Sequence, residues 1–282
     1  MLPGSPGAGA VRMAISESLV ANVNLDDARA AMGHWLKQME KDLKYEIEYP
    51  PHVFDTTEEI ISRARSGRVD AVALNILEYR QIADCLDSSQ VIAASPSSGM
   101  DRYVLLAKSD LAQLGRLRGR RLCMLKAPKM CVAPAWISNV LDAAQLGSTE
   151  HFFGSVTQET KIPRVLLPVF FGQTDACITM KASFDTMCEM NPQVGKSLQI
   201  VAMSAPMVVT FYVYHKNFHS EARQEFTRVL SAFRTNAAAQ QLATLFQFDQ
   251  LSMLDAHCLR SALTELETAD RSRGNRGAGS KG

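Results

Sequence analysis

Six histidines (His34, His52, His151, His215, His219 and His257) are scattered through the chain. None stands in His-Glu-x-x-His, and none has a cysteine at metal-ligand spacing, so no metal is expected. His215 and His219 lie four apart, but Tyr212 to Lys216 reads as strand and turn, where that spacing does not make a ligand pair. The six cysteines (Cys85, Cys123, Cys131, Cys177, Cys188 and Cys258) include no Cys-x-x-Cys. They read as small buried hydrophobes rather than a disulfide framework, although Cys123 and Cys177 both fall on predicted strands of one half. Nothing marks Cys131 or Cys177 as an activated nucleophile. Gly-x-Ser-x-Gly, the P-loop and Gly-x-Gly-x-x-Gly are all missing, which removes the common hydrolase, nucleotide and dinucleotide readings. The expectation is a protein that is not an enzyme and needs no cofactor.

The totals narrow the choice further. The chain has 282 residues, 46% of them hydrophobic and 21% charged, and a net charge of +1. Those are values for a globular protein of two lobes with a real core. A charge so near zero leaves no footprint for nucleic acid. The cluster Arg116, Arg118, Arg120 and Arg121 reads as a solvated loop. No apolar stretch approaches a membrane span. The opening residues lack a charged segment followed by an apolar one, so no secretory signal is read there.

The elements that must position any site follow from periodicity and caps. Val11 to Ile15 is a short β-branched strand. Asn24 caps a helix whose apolar face is Ala28, Met32, Trp35, Leu36, Met39 and Leu43. Tyr45 to Tyr49 is a second strand. Asp55 and Glu58 read as a capping pair for a helix through Arg65, closed by Gly67 and followed by a strand at Asp70 to Leu74. The second half repeats the plan: a strand at Leu122 to Leu125, a helix at Ala133 to Leu146, a loop or edge at Phe152 to Gly154, a helix at Ile162 to Phe171 that Pro168 should kink, and a strand at Asp175 to Thr179. Gly67-Arg68-Val69-Asp70-Ala71 and Gly172-Gln173-Thr174-Asp175-Ala176 mark the same joint once in each half. Ser95 to Leu106 and Gln199 to Val213 read as crossings between lobes. Glu221 to Phe246 and Met253 to Leu266 read as helical. The organisation expected is a head at 1–10, lobe one at 11–98 and 207–268, lobe two at 103–203, and a disordered tail at 269–282.

On the segments Ser66 to Tyr79 (SGRVDAVALNILEY), Tyr103 to Leu125 (YVLLAKSDLAQLGRLRGRRLCML), Leu166 to Thr179 (LLPVFFGQTDACIT) and Phe184 to Pro206, the chain resembles the phosphate/phosphonate-binding family of ABC-transporter substrate-binding proteins, the PhnD-like branch of the type II periplasmic-binding fold. The resemblance covers roughly Val11 to Leu266. It implies an α/β protein of two lobes, each a mostly parallel sheet flanked by helices, joined by two crossing segments. It implies further that the lobes close around a small-molecule ligand and deliver it to a membrane transporter component, with the protein a monomer. The periplasm is then its compartment, with the signal peptide removed; a natural start at Met1 would place it in the cytoplasm.

Carried over residue by residue, the resemblance places Ser16, Phe54, Asn75, Tyr79, Met100 and Tyr103 around the ligand, with Lys126, Lys129, Met130, Phe153 and Thr179 from lobe two. Asn75, Tyr79 and Tyr103 would give directional hydrogen bonds; Phe54, Met100, Met130 and Phe153 would give apolar walls. The stretch from Lys126 to Pro134 departs from an anion site, because two prolines remove N–H donors and no hydroxyl is present. Lys126 and Lys129 remain as cations for an oxyanion. Glu17 or Glu78 could supply a carboxylate for a ligand amine. Thirteen methionines, including Met100, Met124, Met130, Met180, Met203 and Met207, suit an adaptable surface. With the missing hydroxyls they point to a non-phosphonate, apolar ligand as an alternative; the resemblance, whose divergent members carry lipids, implies a lipid or sterol as that cargo, and a ligand-sensing regulatory domain is an alternative role.

Overall fold

The computed structural model describes residues 10–43, 45–50, 53–95, 100–219, 221–231, 237–246 and 248–279. Most of the expected head, residues 96–99 of the first expected crossing and the last three residues of the tail lie outside them. The elements run β1 (Val11–Ile15), α1 (Leu25–Asp42), β2 (Ile47–Glu48), α2 (Thr57–Arg65), β3 (Ala71–Asn75), α3 (Ile76–Ile82), β4 (Gln90–Ser95), β5 (Tyr103–Lys108), β6 (Arg121–Leu125), α4 (Ala133–Ala143) and α5 (Thr149–Phe152). They continue with β7 (Ser155–Glu159), α6 (Ile162–Phe170), β8 (Ala176–Met180), α7 (Lys181–Met190), α8 (Pro192–Ser197), β9 (Leu198–Met203), β10 (Thr210–Tyr214), α9 (Glu221–Ser231), α10 (Ala237–Phe246), β11 (Gln250–Asp255) and α11 (Arg260–Gly279).

Two compact units result. The first takes the described residues up to 95 together with Thr210–Cys258, and the second takes Met100–Val209 with the chain from Leu259 onward. The first unit has a six-stranded sheet in the order β11-β4-β10-β3-β1-β2. Its β1 pairs in parallel with β2 and β3, while β10 runs antiparallel between β3 and β4, and β11 runs antiparallel at the edge. The second unit has the order β7-β6-β8-β5-β9. There β6 is parallel to β7 and β8, and β5 is antiparallel to both of its neighbours. Both sheets are thus mixed: most strands share a direction, with β10 and β11 reversed in the first and β5 reversed in the second.

The local reasons are those of caps and faces. The Asn24 side chain accepts the N–H groups of Asp26 and Asp27 to start α1, and Ala28, Met32, Trp35, Leu36 and Met39 are buried along its predicted face. Helix α2 starts one residue later than expected. Thr56 is its cap, in a reciprocal box with Glu59, because Asp55 is drawn inward to Arg63 at 2.9 Å. Pro168 sits in the last turn of α6, and its carbonyl accepts the N–H groups of Gln173 and Thr174, closing the helix rather than breaking it.

The repeated joint is real and more elaborate than the sequence shows. Gly67 and Gly172 both take the left-handed conformation, with φ of 64° and 76°, which favours glycine. The aspartates that follow are each clamped by an arginine of the preceding parallel strand. Arg12 donates from its backbone N (2.9 Å) and Nε (3.0 Å) to one oxygen of Asp70. Arg121 does the same to Asp175, at 2.9 and 3.0 Å. The hydrogen bond from Arg121 is the main cause holding the Asp175 carboxyl below its usual range.

Two expectations near the C-terminus are corrected. Met253 is in strand β11, paired with Ile92 of β4, not in a helix. The chain from Leu259 belongs to the second unit rather than the first, and α11 continues to Gly279 where composition predicts disorder from 269. Asn139 of α4 donates to the Glu265 backbone carbonyl at 2.8 Å and to its carboxylate at 2.6 Å, which ties α11 to the helix it packs on.

Candidate functional site

Parallel sheets bind ligands at the carboxyl ends of their strands. In the first unit those ends are Ser16, which follows β1, and Asn75, which ends β3. Ser16 caps a short 3-10 turn at Glu17–Val20, and Asn75 caps α3 in a box with Glu78. Both lead into Glu78, a carboxylate only 3% exposed. Its Oε1 accepts the hydroxyls of Ser16 at 2.5 Å and Thr57 at 2.9 Å; its Oε2 accepts the Ser18 hydroxyl at 3.1 Å and the Asn75 backbone N–H at 3.0 Å. The Asn75 side chain is committed as well. Its Oδ1 accepts the N–H groups of Leu77 and Glu78, and its Nδ2 donates to Ser18. Sequence reasoning misses Ser18 and Thr57. The box Asn75-x-x-Glu78 is visible in the sequence, but the hydroxyls that complete it come from separate elements.

Next to this cluster Asp55 is ion-paired to Arg63. Burial raises its carboxyl above the usual value, with the arginine pulling it back down. Phe54 is buried in the first unit's core cluster rather than lining a surface. Tyr79 packs edge-on against Phe211 of β10 at 5.4 Å between ring centroids, and burial raises its phenol.

In the second unit the carboxyl ends of β6 and β8 lead to the turn Pro128–Met130 and to α7. Lys129 is buried, 7% exposed, with Nζ 3.3 Å from the equally buried Asp101. Lys129, expected as a cation for an oxyanion, is therefore half of an internal ion pair. Tyr103 is wholly buried; its hydroxyl donates to the Lys129 backbone carbonyl at 2.7 Å, and its ring lies 6.0 Å from Trp136. Burial raises its phenol far above the ordinary value. That hydroxyl is spent inside the fold. Lys181, next to Thr179 and Met180, holds Asp185 at 2.6 Å. Met130 is buried, Met100 is 41% exposed, and Lys126 is exposed.

Phe153 does not join these residues. It is buried edge-on against Phe152 just before β7, where Gly154 donates to Arg120 ahead of β6. That is the amino end of the sheet, opposite Lys129 and Thr179, because β6 and β7 are parallel.

Thr179 is fully buried at the end of β8, and its Oγ1 has no hydrogen-bond partner among the described residues. A buried hydroxyl left unpaired costs about 1–3 kcal/mol. Thr179→Val, which keeps the shape, is therefore expected to leave stability unchanged or raise it by about 1–2 kcal/mol; urea unfolding checks this, and a clear loss would mean that the hydroxyl has a partner.

Among the described residues no group of three or more His, Cys, Asp or Glu could hold a metal, and no helix is long and apolar enough to cross a membrane.

Comparison with known proteins agrees with this architecture. The family model described as ABC transporter, phosphonate, periplasmic substrate-binding protein matches residues 18–257. No curated protein matches the chain. Among solved structures, PhnD1 from Prochlorococcus marinus in complex with methylphosphonate is 16% identical with a TM-score of 0.58, covering 94% of this chain and 98% of that one. A binding protein component of an ABC phosphonate transporter from Pseudomonas aeruginosa is 12% identical at a TM-score of 0.54, with 97% and 99% covered. The aliphatic sulphonate binding protein SsuA from Escherichia coli is 13% identical at 0.53, with 95% and 87% covered. These likenesses show the type II periplasmic-binding fold.

Proposed function

The chain belongs to the periplasmic substrate-binding proteins of phosphonate-type ABC transporters, and from that premise we propose that it captures a small molecule by closing its two units upon it and hands the closed form to a membrane transport component. The family consists of binding proteins, not enzymes. The periplasm is the proposed compartment and a monomer the proposed state. The observation that carries the reading is the family match across residues 18–257, joined to a mixed sheet in each unit whose parallel strands end in a cluster of polar and aromatic residues.

The ligand differs from the family's usual one in this reading. Tyr79 and the exposed Met100 supply its contacts, and the absence of hydroxyls between Lys126 and Pro134 argues against a tetrahedral oxyanion. Bound ligand stabilises the closed state through contacts made only there.

The test is native mass spectrometry of the protein purified from its own host, followed by small-angle scattering of the stripped and reloaded protein. A co-purified small molecule that shrinks the radius of gyration on rebinding supports capture by closure. Binding without compaction overturns it. A lipid or sterol in the spectrum would identify an apolar cargo.

A further inference from the structure

The polar groups at the carboxyl ends of β1 and β3 form a closed set. Three hydroxyls (Ser16, Ser18 and Thr57) and one backbone N–H (Asn75) converge on two oxygens, and both oxygens belong to Glu78. Hydroxyls and amide N–H groups are also the donors that hold the oxygens of a bound phosphonate, sulfonate or carboxylate. Here they are saturated from within. Among the described residues no salt bridge is formed to Glu78, and the groups that meet its two oxygens are hydroxyl and amide dipoles. A second anion brought near it meets repulsion in a medium that screens poorly.

An independent arrangement in the second unit has the same effect. The buried cation of that unit's strand ends, Lys129, is neutralised at 3.3 Å by Asp101. Lys181 is likewise held by Asp185, at 2.6 and 2.7 Å. Lys126 is exposed.

We infer that this protein excludes oxyanions by carrying its own: Glu78 is a resident carboxylate seated on the donors a free oxyanion would use, Asp101 withholds the buried lysine, and the ligand is uncharged where it meets these strand ends. The inference rests on the transport reading and sets its substrate class apart from that of PhnD1, which was solved with methylphosphonate.

Calorimetric titration of the full chain with methylphosphonate, inorganic phosphate and sulfate is the first arm. No saturable binding is expected at millimolar concentrations; saturable methylphosphonate binding by the unaltered protein overturns the inference. The second arm is rescue. Glu78→Ala should lower the melting temperature, and acetate or formate should restore it by binding the vacated donors, whereas chloride at equal ionic strength should not. The unaltered protein should respond equally to all three salts. A Glu78→Ala protein that ignores carboxylates as the parent does overturns the inference. If that variant does not fold, Glu78→Gln replaces it: with the charge removed, saturable phosphate or methylphosphonate binding should appear at millimolar concentrations where the parent shows none, and its continued absence overturns the inference. Rescue is read without any natural ligand, so a failure of unit closure would leave this arm intact and the two readings separable.

Discussion

Lys129→Met is expected to cost about 3–5 kcal/mol of folding stability near neutral pH, because it strands the Asp101 carboxylate in a buried site without its counter-charge. The side chains of the pair are only 9% and 6% exposed. Burial already raises the Asp101 carboxyl above its ordinary value of 3.8, and Lys129 is what pulls it back. The sign of the pH dependence follows. An acid whose pKa is raised in the folded state binds its proton more tightly there, so its ionisation penalises folding above the folded pKa, and the penalty disappears as pH falls through that value toward 3.8. Without the lysine the folded pKa moves higher still. The deficit of Lys129→Met should therefore be greatest at neutral pH and shrink on acidification, beginning at a higher pH than any relief in the parent. Asp55, raised in the same direction, is present in both proteins and cancels. Urea unfolding across this range checks the prediction; a deficit that stays constant with pH would show that Asp101 is not the stranded group. Replacing both partners with apolar residues should restore stability to the parental level or exceed it by about 1–4 kcal/mol.

Gly154→Ala should be the most damaging glycine substitution in the second unit. A Cβ at position 154 would lie 2.4 Å from the carbonyl oxygen of Gly119 and 3.0 Å from its carbon. Both are backbone atoms and cannot swing aside as a side chain would. The two segments are also cross-tied, since Gly119 donates to Phe152 at 2.7 Å and Gly154 donates to Arg120 at 2.9 Å. Separating them shifts the starts of β6 and β7 together, and overpacking of this kind costs about 1–3 kcal/mol or more. Gly115→Ala is the control: nothing lies within 4 Å of the point its methyl group would occupy, and a change within about 0.5 kcal/mol is expected. Equal melting temperatures for the two variants would refute the argument.

Much of the fold is legible in the sequence, and the misses share a cause. Helix α1 is readable because its cap, its acids and its apolar face all lie within about five turns of chain. The joints at Gly67 and Gly172 are readable because a left-handed residue is a local demand. Strand β7 escapes notice because Ser155–Glu159 is a mostly exposed edge without an apolar alternation to betray it. Strand β11 reads as the start of a helix because its apolar residues fit either period; partners on β4 decide the matter. The start of α2 slips by one residue because Asp55 and Thr56 are both good caps, and only the distant Arg63 removes Asp55 from the competition.

The candidate site is harder for the same reason. Ser16, Asn75 and Thr179 lie at strand ends and Lys129 in the turn after one, as the sequence suggests, but their partners carry no local signal. No period in the sequence connects Lys129 to Asp101, or Glu78 to Ser18 and Thr57. Phe153 is misplaced by sequence reasoning because a loop beside a helix end reads alike at either end of a sheet, and only the parallel pairing of β6 with β7 tells which end it occupies.

The division of the chain also orders events during synthesis. The second unit's whole sheet, β5 to β9, is one uninterrupted stretch, so it can assemble as soon as that stretch leaves the ribosome. The first unit cannot finish then: β3 waits for β10, and β4 waits for both β10 and β11, with its central edges unpaired while the intervening segment is made. Helix α11 comes last and reaches back 126 residues, from Glu265 to Asn139. Non-local closures of this sort are slow and leave strand edges exposed to wrong partners. A nascent chain halted just after β9 would thus carry one assembled sheet and one half-built one, and the half-built one is where a holding chaperone would be needed.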